Sequence, residues 1–535
     1  MGNSAVIENY LNRLLRKYQQ WWKFYWLIDQ EYEQFDFGVE VQTEEAIQEG
    51  IPTQRGSEKK TISFSVLDGI DLYARKEPVL LVGQPGSGKS TALMRFLLKA
   101  VEQAFQDPQA PIPVLIELRR CTIQSGGILT LIQETLERLG LESADIKKLR
   151  FGNRPFLLLL DGLNELPSRQ ALTELNNFRE NCADLGIPIV VTTRALDADS
   201  LGIARKLEIK PLSPPEIQRF FQACLPFESK QRLQELSDRL RELGRTPLML
   251  WMLYVVLKEP QGEIPDSRGE LFRRFIQIYE RKREEKIYLD EDSKLDGETR
   301  RWWTRLLKPL AYEIMRSGKS GEPTDFRLDI SKQDAETICK DFLKAEEVNN
   351  YPDLAIRCLD ALIRHHLIQL DPEKQEIEFC HQLIQEYYAA EWLLDRLPKL
   401  TDEQLKYYFL NYLKWTEAIG LMMGFPETTE KQALAIVELA LDKVDLRLGA
   451  RLAGEVKPPL QEQTVTLIRT QKVPELLKVH LLGATRSVYA IPDLVHALQQ
   501  HENLVLSTDA AIMLRDLGSP LLVDELLTPG SLIFK

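Results

Sequence analysis

Apolar residues follow three successive rhythms along the chain. In residues 1–60, Ile7, Leu11, Leu14, Tyr18, Trp21, Tyr25 and Ile28 alternate at spacings of four and three. That is a heptad seam on one face of a helix, with Arg13, Arg16, Lys17 and Lys23 off it. Such a helix either docks on the domain that follows it or serves in oligomerisation or signalling. Its aromatic and basic neighbours fit a membrane surface less well. Residues 38–60 are polar and read as a linker. Between 61 and 210 the rhythm changes. Short continuous apolar runs at 79–82, 112–118, 156–160 and 187–193 read as buried strands. Helix-period segments at 92–98, 129–139 and 172–183 separate them. Strands alternating with helices predict an α/β doubly wound parallel sheet, with ligands at the strand C-termini.

From Pro211 onward the pattern is mostly helical. Leu212-Ser213-Pro214-Pro215-Glu216 reads as a helix cap with prolines in the first turn. Within 300–400, Leu367-Ile368-Gln369-Leu370 and Ile377-Glu378-Phe379 flank the polar turn Asp371-Pro372-Glu373-Lys374. Helices followed by a hairpin predict a winged helix. After residue 400 every segment reads helical. Leu448-Gly449-Ala450 and Leu482-Gly483-Ala484 recur 34 residues apart, and 490–518 resembles a unit of a HEAT-type helical repeat. The domains expected are an N-terminal helical segment and linker at 1–60, a nucleotide-binding domain at 61–210, a helical domain at 211–299, a winged helix at 300–400 and helical repeats at 401–535.

The candidate chemistry is concentrated after the first of the buried strands. Val79-Leu80-Leu81-Val82 leads into Gly83-Gln84-Pro85-Gly86-Ser87-Gly88-Lys89-Ser90-Thr91. This fits the phosphate loop G-x-x-x-x-G-K-[ST], in its required setting of strand, loop and helix. Gly86 and Gly88 let backbone N–H groups turn inward without a Cβ in the way. The helix beginning near Lys89 points its positive end at the same phosphates. Lys89 would reach the β- and γ-phosphates, and the Ser90 hydroxyl would ligate Mg²⁺. The run 156–160 ends in Asp161-Gly162-Leu163-Asn164-Glu165. Asp161 is placed to hold Mg²⁺ through water, and Glu165 to orient or deprotonate the attacking water. Thr193-Arg194 closes the next strand, and Arg194 can point at the γ-phosphate as charge develops there. The competing readings are a bare glycine-rich turn, a capping Asp161 and an exposed Arg194.

Composition narrows the partners. With 535 residues the chain is too long for one core. A net charge of −12 argues against an overall electrostatic grip on nucleic acid or an anionic membrane. The six cysteines form no C-x-x-C pair, so buried thiols in a reducing cytoplasm are expected. No apolar run reaches membrane-spanning length, and the longest, Pro247 to Leu257, fits a buried helix. The N-terminus lacks the apolar stretch of a secretion signal, and Val6 breaks the myristoylation pattern.

Several motifs in order carry a family resemblance. Asp161, a small residue and then displaced acids resemble the NACHT branch of the STAND class of P-loop NTPases. An AAA+ protein would carry glutamate where Gly162 stands. Arg245-Thr246-Pro247-Leu248-Met249-Leu250 is similar to that family's helical-domain motif, whose proline lies near the adenine. Phe379-Cys380-His381-Gln382-Leu383-Ile384-Gln385-Glu386-Tyr387-Tyr388-Ala389-Ala390 is similar to its winged-helix signature. There the histidine touches the ADP β-phosphate, a role the resemblance carries to His381. Read from its residues alone, His381 is a core or capping histidine. Asn164 departs from the pattern, since many members carry a second acid there, and slower hydrolysis is expected. Ser293-Lys294-Leu295-Asp296 imitates the guanine-reading [NT]-K-x-D motif, but it lies in a polar, helix-like segment away from the strands, which favours ATP over GTP.

The resemblance implies an ATP/ADP switch with Mg²⁺ as cofactor. ADP would keep the nucleotide, helical and winged-helix domains closed. An unidentified protein or pathogen-derived ligand at the C-terminal repeats would release them, and exchange for ATP would permit homo-oligomerisation. Gly83, Gly86, Ser87, Gly88, Lys89, Ser90, Thr91, Pro247 and His381 would bind the nucleotide. Ser90 and Asp161 would hold the metal; Glu165, Asp161 and Arg194 would serve catalysis. A stand-alone AAA+-like ATPase machine and an ATP-dependent transcription regulator are the alternatives.

Overall fold

The computed structural model describes residues 3–19, 38–46, 59–121, 127–141, 149–151, 153–166, 169–194, 201–224, 243–259, 263–289, 296–316, 329–364, 368–371, 375–379, 381–500 and 503–517. The chain divides into two compact units. Residues 1–254 with 317–329 form the first, and residues 255–316 with 330–535 the second.

An eight-stranded sheet organises the first unit. Its strands are β1 (Glu40–Ala46), β2 (Lys59–Ser65), β3 (Val79–Val82), β4 (Ile112–Glu117), β5 (Arg150–Phe151), β6 (Arg154–Asp161), β7 (Ile189–Thr193) and β8 (Arg205–Ile209). The order is β2-β1-β8-β3-β7-β6-β4, with β5 on β6. β8-β3-β7-β6-β4 pair in parallel, which places β3, β6 and β7 side by side in its centre. Val79 to Val82 are buried to the last residue, as are Phe156 to Leu160, because helices cover both faces of a parallel sheet. The helices are α1 (Asn3–Gln19), α2 (Val66–Ala74), α3 (Lys89–Gln106), α4 (Gly127–Arg138), α5 (Arg169–Asp184) and α6 (Pro214–Cys224).

Two departures from the sequence reading concern the sheet's edge. Residues 40–46 and 59–60, expected in a linker, pair as the antiparallel strands β1 and β2, and β1 joins β8. Among the described side chains of β1, Val41 and Thr43 are buried, and the strand's sequence, Glu40-Val41-Gln42-Thr43-Glu44-Glu45-Ala46, reads as polar. Gln42 Nε2 donates to Glu208 Oε2 at 3.1 Å, and Lys210 pairs with Glu40 at 3.0 Å. β8 was also unread, because only Leu207 and Ile209 carry its apolar alternation.

The seam of α1 packs inward. Ile7, Leu11, Leu14 and Tyr18 are buried, together with Tyr10, in the same core as β3, β4 and α3. The Tyr10 hydroxyl, fully buried, donates to the Pro113 carbonyl of β4 at 2.9 Å. Arg13, Arg16 and Lys17 face outward. Trp21, Lys23, Tyr25 and Ile28 lie outside the described residues.

Among its described residues the second unit is helical apart from one small sheet. After α7 (Pro247–Leu257), whose first eight residues belong to the first unit, come α8 (Arg268–Leu289), α9 (Gly297–Trp302), α10 (Leu307–Arg316), α11 (Lys332–Ala345), α12 (Tyr351–Arg364) and α13 (Gln382–Arg396). β9 (Asp329–Ser331), β10 (Ile368–Asp371) and β11 (Glu376–Phe379) form a sheet in the order β10-β11-β9. β10 and β11 pair antiparallel, Ile368 opposite Phe379, where the polar turn was expected.

Beyond these lie α14 (Thr416–Met423), α15 (Glu430–Lys443), α16 (Leu446–Glu455), α17 (Pro458–Arg469), α18 (Glu475–Thr485), α19 (Ile491–Leu498) and α20 (Leu504–Asp516). From α15 on each helix packs on the next, and α16, α18 and α20 also pack in succession. A Cβ at Gly449 would strike Leu441, and one at Gly483 would strike Met513. The recurring Leu-Gly-Ala therefore marks close helix crossings. A buried ion cluster ties α8 to α14 and α16: Arg268 pairs with Glu417 at 2.9 Å and with Glu455 at 3.0 Å, and Arg451 also pairs with Glu417. Among the described cysteines Cys121, Cys182, Cys339 and Cys358 are buried, Cys224 is half-buried, and all five are free. Cys380 lies outside the described residues. Among the described residues no helix is long and apolar enough to cross a membrane.

Candidate functional site

β3 ends at Val82 and the chain turns at once into the glycine loop. Gly86 has φ +74° and Gly88 φ +91°, so both positions demand a backbone that other residues adopt only with strain. Gly88 then caps α3 with no side-chain bond of its own, leaving the first N–H groups of that helix without a side-chain acceptor from the cap. Lys89 Nζ donates to the carbonyls of Gly83 and Gln84, each at 2.9 Å. The ammonium is thus folded onto the loop that a phosphate would occupy. The Ser87 hydroxyl and the Thr193 hydroxyl are buried and make no hydrogen bond. Two unsatisfied hydroxyls, an ammonium and a glycine loop at a helix start form a donor set that fits a polyphosphate. Ser90 and Thr91, at the start of α3, are exposed.

The neighbouring strands bring the acids and Arg194. Gly83 N–H donates to the Thr193 carbonyl at 3.2 Å, which sets Arg194, the next residue, beside the loop. Asp161 closes β6. Thr192 Oγ1 donates to Asp161 Oδ1 at 2.5 Å and accepts the Gly162 N–H at 2.8 Å. Burial pushes the Asp161 carboxyl above its ordinary value, and the Glu117 carboxylate adds to this. Hydrogen bonds with Thr192 and Ser90 and the Lys89 charge pull it back. A serine and an aspartate bonded to one another, with a lysine adjacent, fit a shared divalent cation: Ser90 directly and Asp161 through water. Gly162 takes φ +84°, and Glu165, in the short turn Leu163–Glu165, folds its carboxylate back over Gly162.

Glu117 was not singled out in the sequence. It closes β4 directly opposite Asp161 and pairs with Arg120 at 2.9 Å. The available signal was an acid at the C-terminal end of the buried run 112–118, the same signal that marked Asp161.

The start of α7 also reaches the loop. Leu248 N–H donates to the Gly86 carbonyl at 3.3 Å, and a Cβ at Gly86 would meet Leu248 at 3.0 Å. Thr246 caps this helix, its Oγ1 accepting from the Met249 N–H at 3.4 Å, and Pro247 is its first residue. Arg245 is tied back by the Leu212 N–H at 2.8 Å. Gly83, Gly86, Ser87, Gly88, Lys89, Ser90, Asp161, Glu165, Arg194 and Pro247 thus lie in one unit around one loop.

His381 belongs to the second unit. It is the N-cap of α13, and its Nδ1 accepts the Leu383 N–H at 3.1 Å. The capping reading of this histidine therefore holds. Asp296 is likewise a cap: its Oδ1 accepts the N–H groups of Glu298 and Thr299 at 3.0 and 2.9 Å, and its Oδ2 accepts from Arg357 at 2.6 Å. The residue that imitated a guanine reader is spent on a helix start. Ser293, Lys294 and Leu295 lie outside the described residues.

Comparison with known proteins agrees with this geometry. Residues 77–227 match the family model of the NACHT domain. No curated protein matches the chain. The matched stretch contains the glycine loop, Asp161, Glu165 and Arg194 on the strands just described, so this chain carries a NACHT domain, a nucleotide-binding module of the P-loop NTPase class.

Proposed function

We propose that the chain is an ATP/ADP-dependent molecular switch of the STAND type that hydrolyses ATP slowly and assembles into homo-oligomers when activated. The observation that carries this reading is the bond from Leu248 N–H to the Gly86 carbonyl. It links the tip of the phosphate loop to the segment that leads out of the nucleotide domain. A nucleotide that changes the loop changes that contact, and a ligand shifts a two-state equilibrium only through such differential contacts. In this reading Lys89 swings from the Gly83 and Gln84 carbonyls to the β- and γ-phosphates, Ser90 and Asp161 hold Mg²⁺, Glu165 positions water, and Arg194 faces the γ-phosphate. Pro247, the first residue of α7, would lie by the adenine, as the resemblance implies. Bound Mg²⁺ would neutralise charge on the phosphates as the terminal bond breaks.

The second unit would supply the response. α11, α12 and the β10–β11 hairpin, with α13 after it, support a winged helix. The stacking of α15 to α20 supports a HEAT-like array. His381 Nδ1 already accepts a backbone N–H, so the neutral ring carries its proton on Nε2. That is the donor a β-phosphate requires. A signalling or defence role in the cytoplasm, with a protein or pathogen-derived ligand at the repeats, follows from the family resemblance.

Analysis of the nucleotide that copurifies with the full chain tests the reading. Tightly held ADP and turnover slower than about 1 s⁻¹, the low end of ordinary enzyme rates, are expected. Loss of the nucleotide on desalting, steady turnover and a constitutive ring would instead point to an ATPase machine.

A further inference from the structure

β7 carries two adjacent threonines, and the strand turns their side chains to opposite faces. Thr192 is fully buried and points at the end of β6. Its hydroxyl sits in a two-bond relay. It accepts the Gly162 N–H at 2.8 Å and donates to Asp161 Oδ1 at 2.5 Å. Accepting the backbone N–H leaves the hydroxyl proton one sensible destination, the carboxylate. The relay therefore sets both the direction of the proton and the rotation of the carboxyl group.

We propose that Thr192 is a positioning residue that aims the Asp161 carboxylate at the divalent cation of the nucleotide. The inference rests on the nucleotide site proposed above. Three further groups act on Asp161 besides Thr192. Ser90 and Lys89 approach from α3, and Glu117 from β4. Ser90 and Lys89 would be drawn toward the metal and phosphates when these bind. Thr192 has no such role and remains the fixed partner. It anchors one carboxyl oxygen and leaves the other for the cation or its bound water. Groups that orient a metal-binding carboxylate in this way typically matter by about 10–100-fold in metal affinity. Val cannot replace Thr192, although it has the same shape, because it can neither accept from Gly162 nor donate to Asp161.

The test is a titration of the full chain with a fluorescent ADP analogue, in EDTA and across a MgCl₂ series. In Thr192→Val the Mg²⁺ concentration for half-maximal tightening should rise at least about tenfold. Affinity in EDTA should stay within about twofold, because Lys89 and the loop are untouched. Thr192→Ser restores the hydroxyl and should return the Mg²⁺ midpoint to within about threefold of wild type. A Thr192→Val midpoint equal to wild type overturns the inference. So does an equal loss of affinity with and without Mg²⁺, which would make Thr192 a packing residue. Should Thr192→Val fail to fold, Thr192→Ala, which also lacks donor and acceptor, is read on the same scale: a shifted midpoint that Thr192→Ser does not show supports the relay, and an unshifted one ends it. Lys89→Ala separates the two levels of argument. If it binds like wild type, the nucleotide site itself is wrong; if it abolishes binding while Thr192→Val titrates normally, only the role of Thr192 falls.

Discussion

The N-terminal helix offers a direct test of long-range packing. Leu14 of α1 is 1% exposed, in one core with Tyr10, Leu11 and the strands beneath the phosphate loop. Leu14→Ala removes three buried carbons and leaves a cavity, a change worth about 2–5 kcal/mol. For a folding unit of about 150–250 residues each kcal/mol moves the melting temperature by about 2–4 °C. The expected shift of the first unit is therefore about 4–20 °C downward. Tyr10→Phe should cost about 1–3 kcal/mol, because it strands the buried Pro113 carbonyl. Arg16→Ala, on the exposed face of the same helix, should stay within about 0.5 kcal/mol of wild type. Calorimetry of the full chain, with and without excess Mg·ADP, resolves the unit concerned, since only a nucleotide-binding unit melts later with ligand. Deleting α1 would uncover α3 and β4 together and should cost nucleotide binding outright. The reasoning is refuted if Leu14→Ala leaves the nucleotide-shifted transition in place and lowers only the oligomer mass in light scattering. The seam would then face another copy of the chain.

Three further outcomes are expected. Glu165→Gln should keep ATP bound while slowing its hydrolysis by about 10²-fold or more, the usual contribution of a positioned base; wild-type turnover would remove Glu165 from that role. His381→Leu should lower ADP retention and also weaken α13 by about 0.5–2 kcal/mol through loss of its cap, whereas His381→Asn keeps a capping acceptor and should lose only the retention; ADP release at the wild-type rate from folded His381→Asn would leave the residue purely structural. Partial burial acts to raise the Asp296 carboxyl, but bonds from Thr299 and Arg357 outweigh it and hold the group at about 2. Its folded value lies below the unfolded one of about 3.9, so its contribution is present above pH 4 and lost as pH falls toward 2; Asp296→Asn should remove that acid sensitivity from thermal melts, and unchanged pH dependence would argue that the cap carries no charge effect.

Local features were legible in the sequence because they depend on neighbours a few residues away. The loop Gly83 to Ser90 carries its own conformational demands in Gly86 and Gly88, and the buried run before it can only be a covered strand. The β10–β11 hairpin was readable for the same reason, its turn residues standing between two short apolar runs. The cap at His381 was readable as one of two alternatives, since a residue that can bond its own helix start can equally reach a ligand.

What only the tertiary structure decided lies in contacts across long stretches of chain. An amphipathic seam states that α1 must bury one face, but not against what; β4, about a hundred residues on, supplies the answer through Tyr10 and Pro113. β1 becomes a strand because β2 pairs along its whole length and β8 takes its other side at Val41 and Gln42, partners that its own polar sequence does not reveal. Thr192 and Glu117 meet Asp161 only because parallel strands joined by crossover helices are brought into register, Glu117 directly opposite Asp161. A strand sequence gives the face each side chain takes, since that repeats every two residues; which strand lies beside it depends on the connections and on the summed burial of the whole sheet, and no local pattern contains that sum.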